Sequence, residues 1–129
     1  MFALAKRTLA LLAAAPILLT SAQSFSGSGT FFNPGLGACG IFNTNADFIV
    51  AVSAFVFDTF PGATSNPNAN PICGRRIVAN FQGRSVVATV TDRCAGCAGT
   101  GDLDFSPAAF SQLADPSVGR IFGVTWNFI

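Results

Sequence analysis

The sequence has 129 residues, of which half are hydrophobic and a tenth are charged, and it contains no Glu or His. If a predicted N-terminal signal peptide is removed, five Arg remain against six Asp, which gives a net charge of −1. This balance excludes the basic surface that neutralises nucleic-acid phosphates, so nucleic-acid binding is not expected. The remaining length suits one domain, and the abundance of Phe predicts a core of Phe, Val and Ile.

The first 22 residues have the features of a secretory signal peptide. Lys6 and Arg7 supply a positive start, Leu9–Leu19 is a short apolar stretch, and Thr20–Ala22 offers small residues before a cleavage site. The apolar stretch contains Pro16 and is shorter than the roughly 20 residues of a transmembrane helix, so no membrane anchor is expected. We therefore predict a secreted protein, located outside the cell or in a cell wall.

After the signal peptide, residues 23–28 form a Ser/Gly stretch that predicts a flexible leader, and residues 29–129 form one domain. Apolar and β-branched runs bounded by turn residues predict five strands, at 30–32, 48–52, 75–80, 84–91 and 121–129. The third and fourth strands form a hairpin in which Phe81 pairs with Arg84 across a two-residue turn.

One short helix is predicted, and it begins near Ser106. Ser106 is a favourable N-cap, Pro107 suits the first helical position, and Phe110 shares a face with Leu113. Residues 61–71 are rich in Pro, Asn, Ala and Ser without periodicity, which predicts a long surface loop. The chain is thus expected to be mostly β.

Four cysteines in a small secreted chain predict two disulfides rather than free thiols or a metal site. The sequence lacks the paired C-x-x-C knuckles of a zinc site, and Cys94 and Cys97 precede several Gly residues instead of opening a helix as redox cysteines do. With a small bulge in the hairpin, Cys73 would lie beside Cys94 and leave Cys39 for Cys97. The alternative pairing, Cys39 with Cys73 and Cys94 with Cys97, remains open at this stage.

Three of the six carboxylates fall between Thr89 and Ala114. Asp92 ends a predicted strand, whereas Asp102 and Asp104 precede the predicted helix. Asp104 is less needed at the start of the helix, because Ser106 already provides the helix cap and a favourable interaction with the helix dipole is worth under about 1 kcal/mol. Asp104 is the preferred functional candidate mainly because of the family resemblance given below. Asp102 follows Gly101 and is interpreted as a turn residue.

The order of the segments GTFFNPGLGACG, DFIVAVS, NPICGRRI, GRSVVATVTDRCAGC, DLDFSPAAFSQLA and GRIFGVTW resembles the double-psi β-barrel of the expansin and barwin-like superfamily. This superfamily includes bacterial RlpA proteins, plant kiwellins, family 45 endoglucanases and small fungal loosenins. The resemblance is strongest to single-domain, loosenin-type members. It implies a six-stranded barrel, and therefore one strand more than the apolar runs predict.

The resemblance also implies a ligand groove formed by Thr30, Asp92 and Asp104, which we expect to converge on one open face. Asp104 corresponds to the aspartate of the family's L-D-L-S segment, and Asp92 to the aspartate of its T-D strand. The sequence departs from the family at Cys94, where bacterial expansins have Tyr.

Aromatic side chains often stack on sugars, so Phe31 and Trp126 are further candidates for ligand binding, although aromatic residues also fill cores. Arg93 is predicted either to hydrogen-bond a ligand or to pair with Asp102.

These expectations favour a protein that binds and loosens cell-wall polysaccharide (cellulose, chitin or peptidoglycan) without hydrolysis. One alternative is a protease inhibitor or defence-type protein-binding module, as in barwin and kiwellin relatives, with the 61–71 loop as its interface. A second alternative is an RlpA-like lytic transglycosylase or a family 45-like hydrolase. Hydrolysis is disfavoured because an inverting mechanism needs two carboxyl groups, and no Asp or Glu lies between Gln23 and Ala46, where the family 45 base is placed. No metal or cofactor is expected, and the protein is predicted to be a monomer.

Overall fold

The computed structural model describes residues 23–129, so the predicted signal peptide lies outside the described residues. The strands are β1 (Ser24–Phe31), β2 (Ile49–Ser53), β3 (Arg76–Phe81), β4 (Arg84–Cys94), β5 (Leu103–Phe105) and β6 (Ile121–Phe128). The helices are α1 (Ala54–Thr59) and α2 (Pro107–Ser111), and single 3₁₀ turns lie at Pro67–Ala69 and Pro116–Val118.

The six strands form a closed barrel in the order β1-β5-β2-β4-β3-β6. The pairs β1–β5 and β2–β4 are parallel, and the other four pairs are antiparallel. Closure leaves no strand edge unpaired around the barrel, which removes a route to aggregation. The prediction of a mostly-β, six-stranded barrel is confirmed.

The predicted hairpin and the helix at Ser106 are also confirmed. β3 and β4 pair without interruption from Phe81 opposite Arg84 to Arg76 opposite Thr89. Gln82 and Gly83 both have positive φ, as a tight two-residue hairpin turn requires. The Ser106 side chain accepts a hydrogen bond from the Ala109 N–H and thereby caps α2.

The strand and helix predictions were incomplete in two places. α1 was missed because its residues are mostly apolar and show no clear helical pattern; its N-cap is Ser53, whose side chain accepts from Val56 N–H at 3.2 Å. β5 was missed because three residues are too short to show alternation, and it exists because β1 and β2 pair with it on both sides.

The prediction of a flexible leader at residues 23–28 is wrong for most of that segment. Ser24–Phe31 is one strand, and its first half pairs with β6, for example Ser24 with Asn127. Gly27 also lets the strand approach the loop before β5, because a Cβ on Gly27 would lie 2.4 Å from the backbone of Gly101. Strand pairing, close backbone packing and the stacking of Phe25 on Trp126 thus order this segment.

The disulfides join Cys39 with Cys73 and Cys94 with Cys97, which confirms two disulfides but corrects the pairing favoured from the hairpin register. That pairing required a bulge between β3 and β4, and none forms there. Cys39 reaches Cys73 because its loop crosses the end of β4, where the Cys39 N–H donates to Thr91 O at 3.2 Å.

The core contains Phe, Val and Ile as predicted, together with Trp126, which is 1% exposed. Phe105 and Phe110 are fully buried, and Phe57 nearly so. Several other Phe side chains lie outside the core, and the most exposed of them are Phe42, Phe48, Phe55 and Phe122.

Candidate functional site

A row of four residues crosses four neighbouring strands at one end of the barrel. Thr30 on β1 pairs with Asp104 on β5, Asp104 pairs with Ala51 on β2, and Ala51 pairs with Asp92 on β4. Directly paired residues point to the same face of a sheet, and strands lie about 4.8 Å apart. The Cα atoms of Asp92 and Asp104 are therefore about 10 Å apart, with only the Ala51 methyl group between them.

A β-bulge brings Asp92 into this row. Val50 pairs with Val90, but the next residue, Ala51, pairs with Asp92, so Thr91 is the extra residue on β4. A bulge re-aims the side chains that follow it and is common beside functional sites. Here it places Asp92, instead of Thr91, next to Ala51, while Thr91 is buried.

The four residues of this row line a cavity of about 340 Å³. The cavity thus brings together Thr30, Asp92 and Asp104, as the convergence hypothesis requires. Its wall also includes the Cys94–Cys97 loop, and the complete lining is Ser28, Thr30, Phe32, Ala51, Asp92, Arg93, Cys94, Ala95, Gly96, Cys97, Asp102, Leu103, Asp104 and Arg120.

Asp104 is the half-buried carboxylate of this groove. Thr30 Oγ1 donates a hydrogen bond to Asp104 Oδ1 at 3.0 Å. Burial raises the pKa of Asp104 above its ordinary value, the nearby Asp92 charge adds to this, and the Thr30 hydrogen bond and Arg120 oppose it. Asp104 is therefore protonated more readily than an exposed aspartate, and protonation changes it from a hydrogen-bond acceptor to a donor.

Asp92 is partly committed to holding a neighbouring loop. Its Oδ1 accepts hydrogen bonds from the backbone N–H groups of Ala38 and Arg93, both at 2.8 Å. Gly37 permits this contact, because a Cβ there would lie 2.6 Å from Thr91 O and 3.3 Å from the Asp92 side chain. Asp92 thus positions the loop around Ala38 as well as facing the groove.

Arg93 pairs with Asp58, and not with Asp102 as one prediction had it. Its Nε donates to Asp58 Oδ1 at 2.9 Å and its Nη2 to Asp58 Oδ2 at 2.8 Å, which is a bidentate ion pair. The Arg93 hydrogen bonds hold the pKa of Asp58 below its ordinary value. Both side chains are exposed, so the pair contributes little to stability.

Asp102 ties the loop before β5 to β1. Its Oδ1 accepts from Ser28 N–H at 2.9 Å and its Oδ2 from Gly99 N–H at 2.8 Å. Burial raises the pKa of Asp102, but these hydrogen bonds outweigh burial and the net pKa is lowered. Asp102 is therefore a charged loop anchor and more than a turn residue.

The structure does not bring Trp126 or Phe31 into the groove. Trp126 is 1% exposed and stacks on Phe25 with ring centroids 4.1 Å apart, and its Nε1–H donates to Gly101 O at 2.9 Å. Phe31 packs against Phe110 in the core, with centroids 4.9 Å apart. The aromatic side chain that lines the cavity is the neighbouring residue, Phe32.

No protein-family model matches the chain, but comparison with individual proteins identifies its superfamily. The chain is 34% identical over 110 residues to the papain inhibitor of Streptomyces mobaraensis, covering 83% of this chain and 73% of that protein. It is 31% identical over 112 residues to an EG45-like domain containing protein of Citrus jambhiri, covering 81% and 82%. The chain belongs to the expansin and barwin-like double-psi β-barrel superfamily.

The share of each relative's length that this chain matches varies widely. The Allergen Asp f 7 homolog of Arthroderma benhamiae is 36% identical over 118 residues, and the match spans 81% of this chain but only 38% of that protein. Among solved structures, the Streptomyces papain inhibitor superposes with a TM-score of 0.74 at 33% identity, covering 83% of this chain and 94% of that one. A mutant expansin of Clavibacter michiganensis, solved with cellohexaose, has the same fold with a TM-score of 0.66 at 22% identity, covering 83% and 50%.

The expansin and barwin-like motifs did not identify one basic residue of the groove. Arg120 lines the cavity and its Nη1 donates to Ser28 Oγ at 3.1 Å. Arg120 lies in the segment GRIFGVTW, but its residue type alone does not mark it as a groove residue. It reaches the cavity because it immediately precedes β6, whose residue Ile121 pairs with Gly29 beside Thr30.

Within residues 23–129 of this superfamily member, no cluster of three or more His, Cys, Asp or Glu is arranged to hold a metal ion. The same residues include no helix with the length and apolar character needed to cross a membrane. The two disulfides suit an oxidising compartment such as the extracellular space.

Proposed function

We propose that this chain is a secreted protein that binds cell-wall polysaccharide in the groove and loosens the wall without hydrolysing it. The observation that carries this proposal is the Thr30–Asp104 hydrogen bond on the floor of an open, polar cavity, in register with Ala51 and Asp92. A related fold has been solved with cellohexaose, which supports a glycan as the ligand class.

The groove offers a glycan chain both polar and apolar contacts. The charged form of Asp104 accepts a hydrogen bond from a sugar hydroxyl, whereas its protonated form donates to a hydroxyl or glycosidic oxygen. The Ala51 methyl group leaves room for a sugar ring between the two carboxylates, and Phe32 adds an aromatic surface at the wall. These are the contacts expected of a polysaccharide groove.

Binding without hydrolysis follows from the roles of the two carboxylates. Inverting hydrolysis needs one carboxyl group as acid and another that is free to activate water. Asp92 uses Oδ1 to hold two backbone N–H groups, and β1, the strand that carries Thr30, contributes no carboxylate. Because Oδ1 of Asp92 is engaged in this way, we infer that Asp92 is a poor partner base for Asp104.

The test is binding of the purified chain to insoluble cellulose, chitin and peptidoglycan, with soluble reducing ends measured in the same samples. We expect the wild-type protein to be depleted from solution by at least one polymer, with no release of sugar. Asp104→Asn should weaken binding by roughly 10-fold or more, because a charge-assisted hydrogen bond is lost.

The matched control is Asp115→Asn, which removes the same charge from an exposed aspartate beside β6 and outside the groove. Equal binding by Asp104→Asn and the wild type would refute the groove as the binding site. Soluble reducing or anhydro ends that disappear in Asp104→Asn would instead establish a glycan-cleaving enzyme, as in the lytic transglycosylase alternative.

A second candidate function is inhibition of a papain-type protease. The specific observation that favours it is similarity to the Streptomyces papain inhibitor over 73% of that protein's length, together with the TM-score of 0.74. The test is the residual activity of papain on a small peptide substrate after incubation with the chain. If the inhibition does not involve the groove, Asp104→Asn will inhibit papain as well as the wild type does.

A further inference from the structure

A short hairpin beside the groove exposes large apolar side chains. We define the apolar hairpin as residues 35–43, in which Leu36 and Phe42 form an antiparallel bridge. Leu36 is 73% exposed, Phe42 is 74% exposed and Ile41 is 42% exposed. Such exposure is normal for single scattered side chains, but here three lie within seven residues of one loop.

The apolar hairpin is held rigidly from within. Gly37 N–H donates to Ile41 O at 3.0 Å, Asn43 N–H to Gly35 O at 3.0 Å, and Gly40 N–H to Gly37 O at 2.9 Å. These bonds leave the apolar side chains exposed on an ordered backbone.

The apolar hairpin is also fixed to the barrel. The Ala38 N–H donates to the Asp92 carboxylate, and the Cys39 N–H donates to Thr91 O. The Cys39–Cys73 disulfide ties its tip to the turn that precedes β3. A loop fixed in this way loses little conformational entropy when it binds, so its exposed side chains are preorganised for a partner.

The long loop predicted as an interface lies directly beside the apolar hairpin. A Cβ on Gly40 would lie 3.0 Å from the side chain of Asn68, so the two loops pack closely. The segment 33–46 carries no charged residue, so a partner can cover it without desolvating an ion.

We propose that the apolar hairpin is the edge by which this chain enters the substrate cleft of a papain-type cysteine protease. This inference rests on the second candidate function and names the surface that performs it. A rigid loop that exposes large apolar side chains is complementary to a concave cleft lined by apolar side chains, which is the usual form of an enzyme's substrate site. Leu36 and Phe42 are the anchors, and the disulfide at Cys39 fixes the tip of the hairpin between them.

The experiment measures the inhibition constant of the purified protein against papain. The double variant Leu36→Ser/Phe42→Ser should raise this constant roughly 30-fold or more, because two central anchors are lost. The matched control is Phe122→Ser, which removes a side chain with the same 74% exposure from β6, outside the apolar hairpin. The control should stay within about twofold of the wild type, and all variants should keep the wild-type circular dichroism.

Four outcomes would overturn the inference, and they separate it from the proposed functions. If the wild type inhibits papain and the double variant inhibits equally, the hairpin assignment fails while the inhibitor function stands. If the wild type does not inhibit papain, the inhibitor function and the hairpin assignment fail together, and the groove proposal is unaffected. If sedimentation shows that the wild type is a dimer and the double variant a monomer, and both inhibit papain equally, the hairpin joins two copies of this chain. If the double variant loses polysaccharide binding instead of inhibition, the hairpin extends the glycan groove.

Discussion

Replacing Trp126 with phenylalanine separates a structural role for this residue from the sugar-binding role that its type predicts. In the structure, the indole is 1% exposed, stacks on Phe25 and donates its Nε1–H to Gly101 O at 2.9 Å. Trp126→Phe keeps an aromatic ring but removes this donor and part of the ring system. Gly101 is itself buried, so its carbonyl oxygen loses its partner in an environment that water does not easily reach.

The expected loss of stability follows from two terms. An unpaired buried acceptor costs about 1–3 kcal/mol. The smaller ring leaves unfilled volume beside Phe25 and Phe128, and a large-to-small core change adds about 1 kcal/mol or more. We therefore expect Trp126→Phe to lower the free energy of unfolding by roughly 2–4 kcal/mol, a large part of the 5–15 kcal/mol typical of a small domain.

The assay is urea denaturation followed by far-UV circular dichroism, combined with the polysaccharide binding measurement. Phe122→Leu, at an exposed aromatic position on the same strand, is the control and should change stability by less than about 0.5 kcal/mol. The reasoning is refuted if Trp126→Phe has wild-type stability but loses polysaccharide binding, because the indole would then contact the ligand. Folded Trp126→Phe should bind polysaccharide as the wild type does.

Three further predictions concern Asp102, Asp104 and Ser106. Asp102→Asn should destabilise the fold at pH 7, because the lowered pKa of Asp102 means that its charged form stabilises the folded state when the pH is above the ordinary pKa of 3.8. In urea titrations, the difference in free energy of unfolding between wild type and variant should disappear as the pH falls through that lowered pKa. Asp104→Asn should change stability in the opposite direction: the raised pKa of Asp104 means that its charged form disfavours folding, so the variant should be more stable than wild type at pH 7. This gain should vanish as the pH falls below 3.8, and a loss of stability at pH 7 would contradict the burial argument. Ser106→Ala should lower the free energy of unfolding by about 1–3 kcal/mol, because it removes the cap of α2 and the partner of Asp47 O, and a thermal melt unchanged from wild type would contradict this.

The features that the sequence predicted correctly depend on neighbouring residues. The hairpin register follows from the two-residue turn at Gln82 and Gly83, whose positive φ angles match the twist of the flanking strands. The start of α2 follows from Ser106 and Pro107, which act within a single turn. Disulfide formation follows from composition and the predicted compartment.

The resemblance to a family added the residues that no local pattern joins. Thr30 and Asp104 are 74 positions apart in the chain, yet their side chains form a hydrogen bond across the parallel pair β1–β5. The motifs around these residues assigned both to one groove, and in the barrel both line one cavity with Asp92. Whether that cavity binds a glycan remains a prediction.

Tertiary structure alone decided the remaining features, because each depends on contacts between distant segments. β5 has only three residues and is a strand because β1 and β2 pair with it. The Cys39–Cys73 pairing depends on a loop that crosses β4, and the burial of Trp126 depends on how β1 closes the barrel against β6. The sequence therefore determined the turns, the helix start and the residue types of the groove, whereas barrel closure determined which of those residues line the cavity and which fill the core. The physical reason is that local propensities act over a few residues, whereas exposure is set by strand pairing across the whole chain.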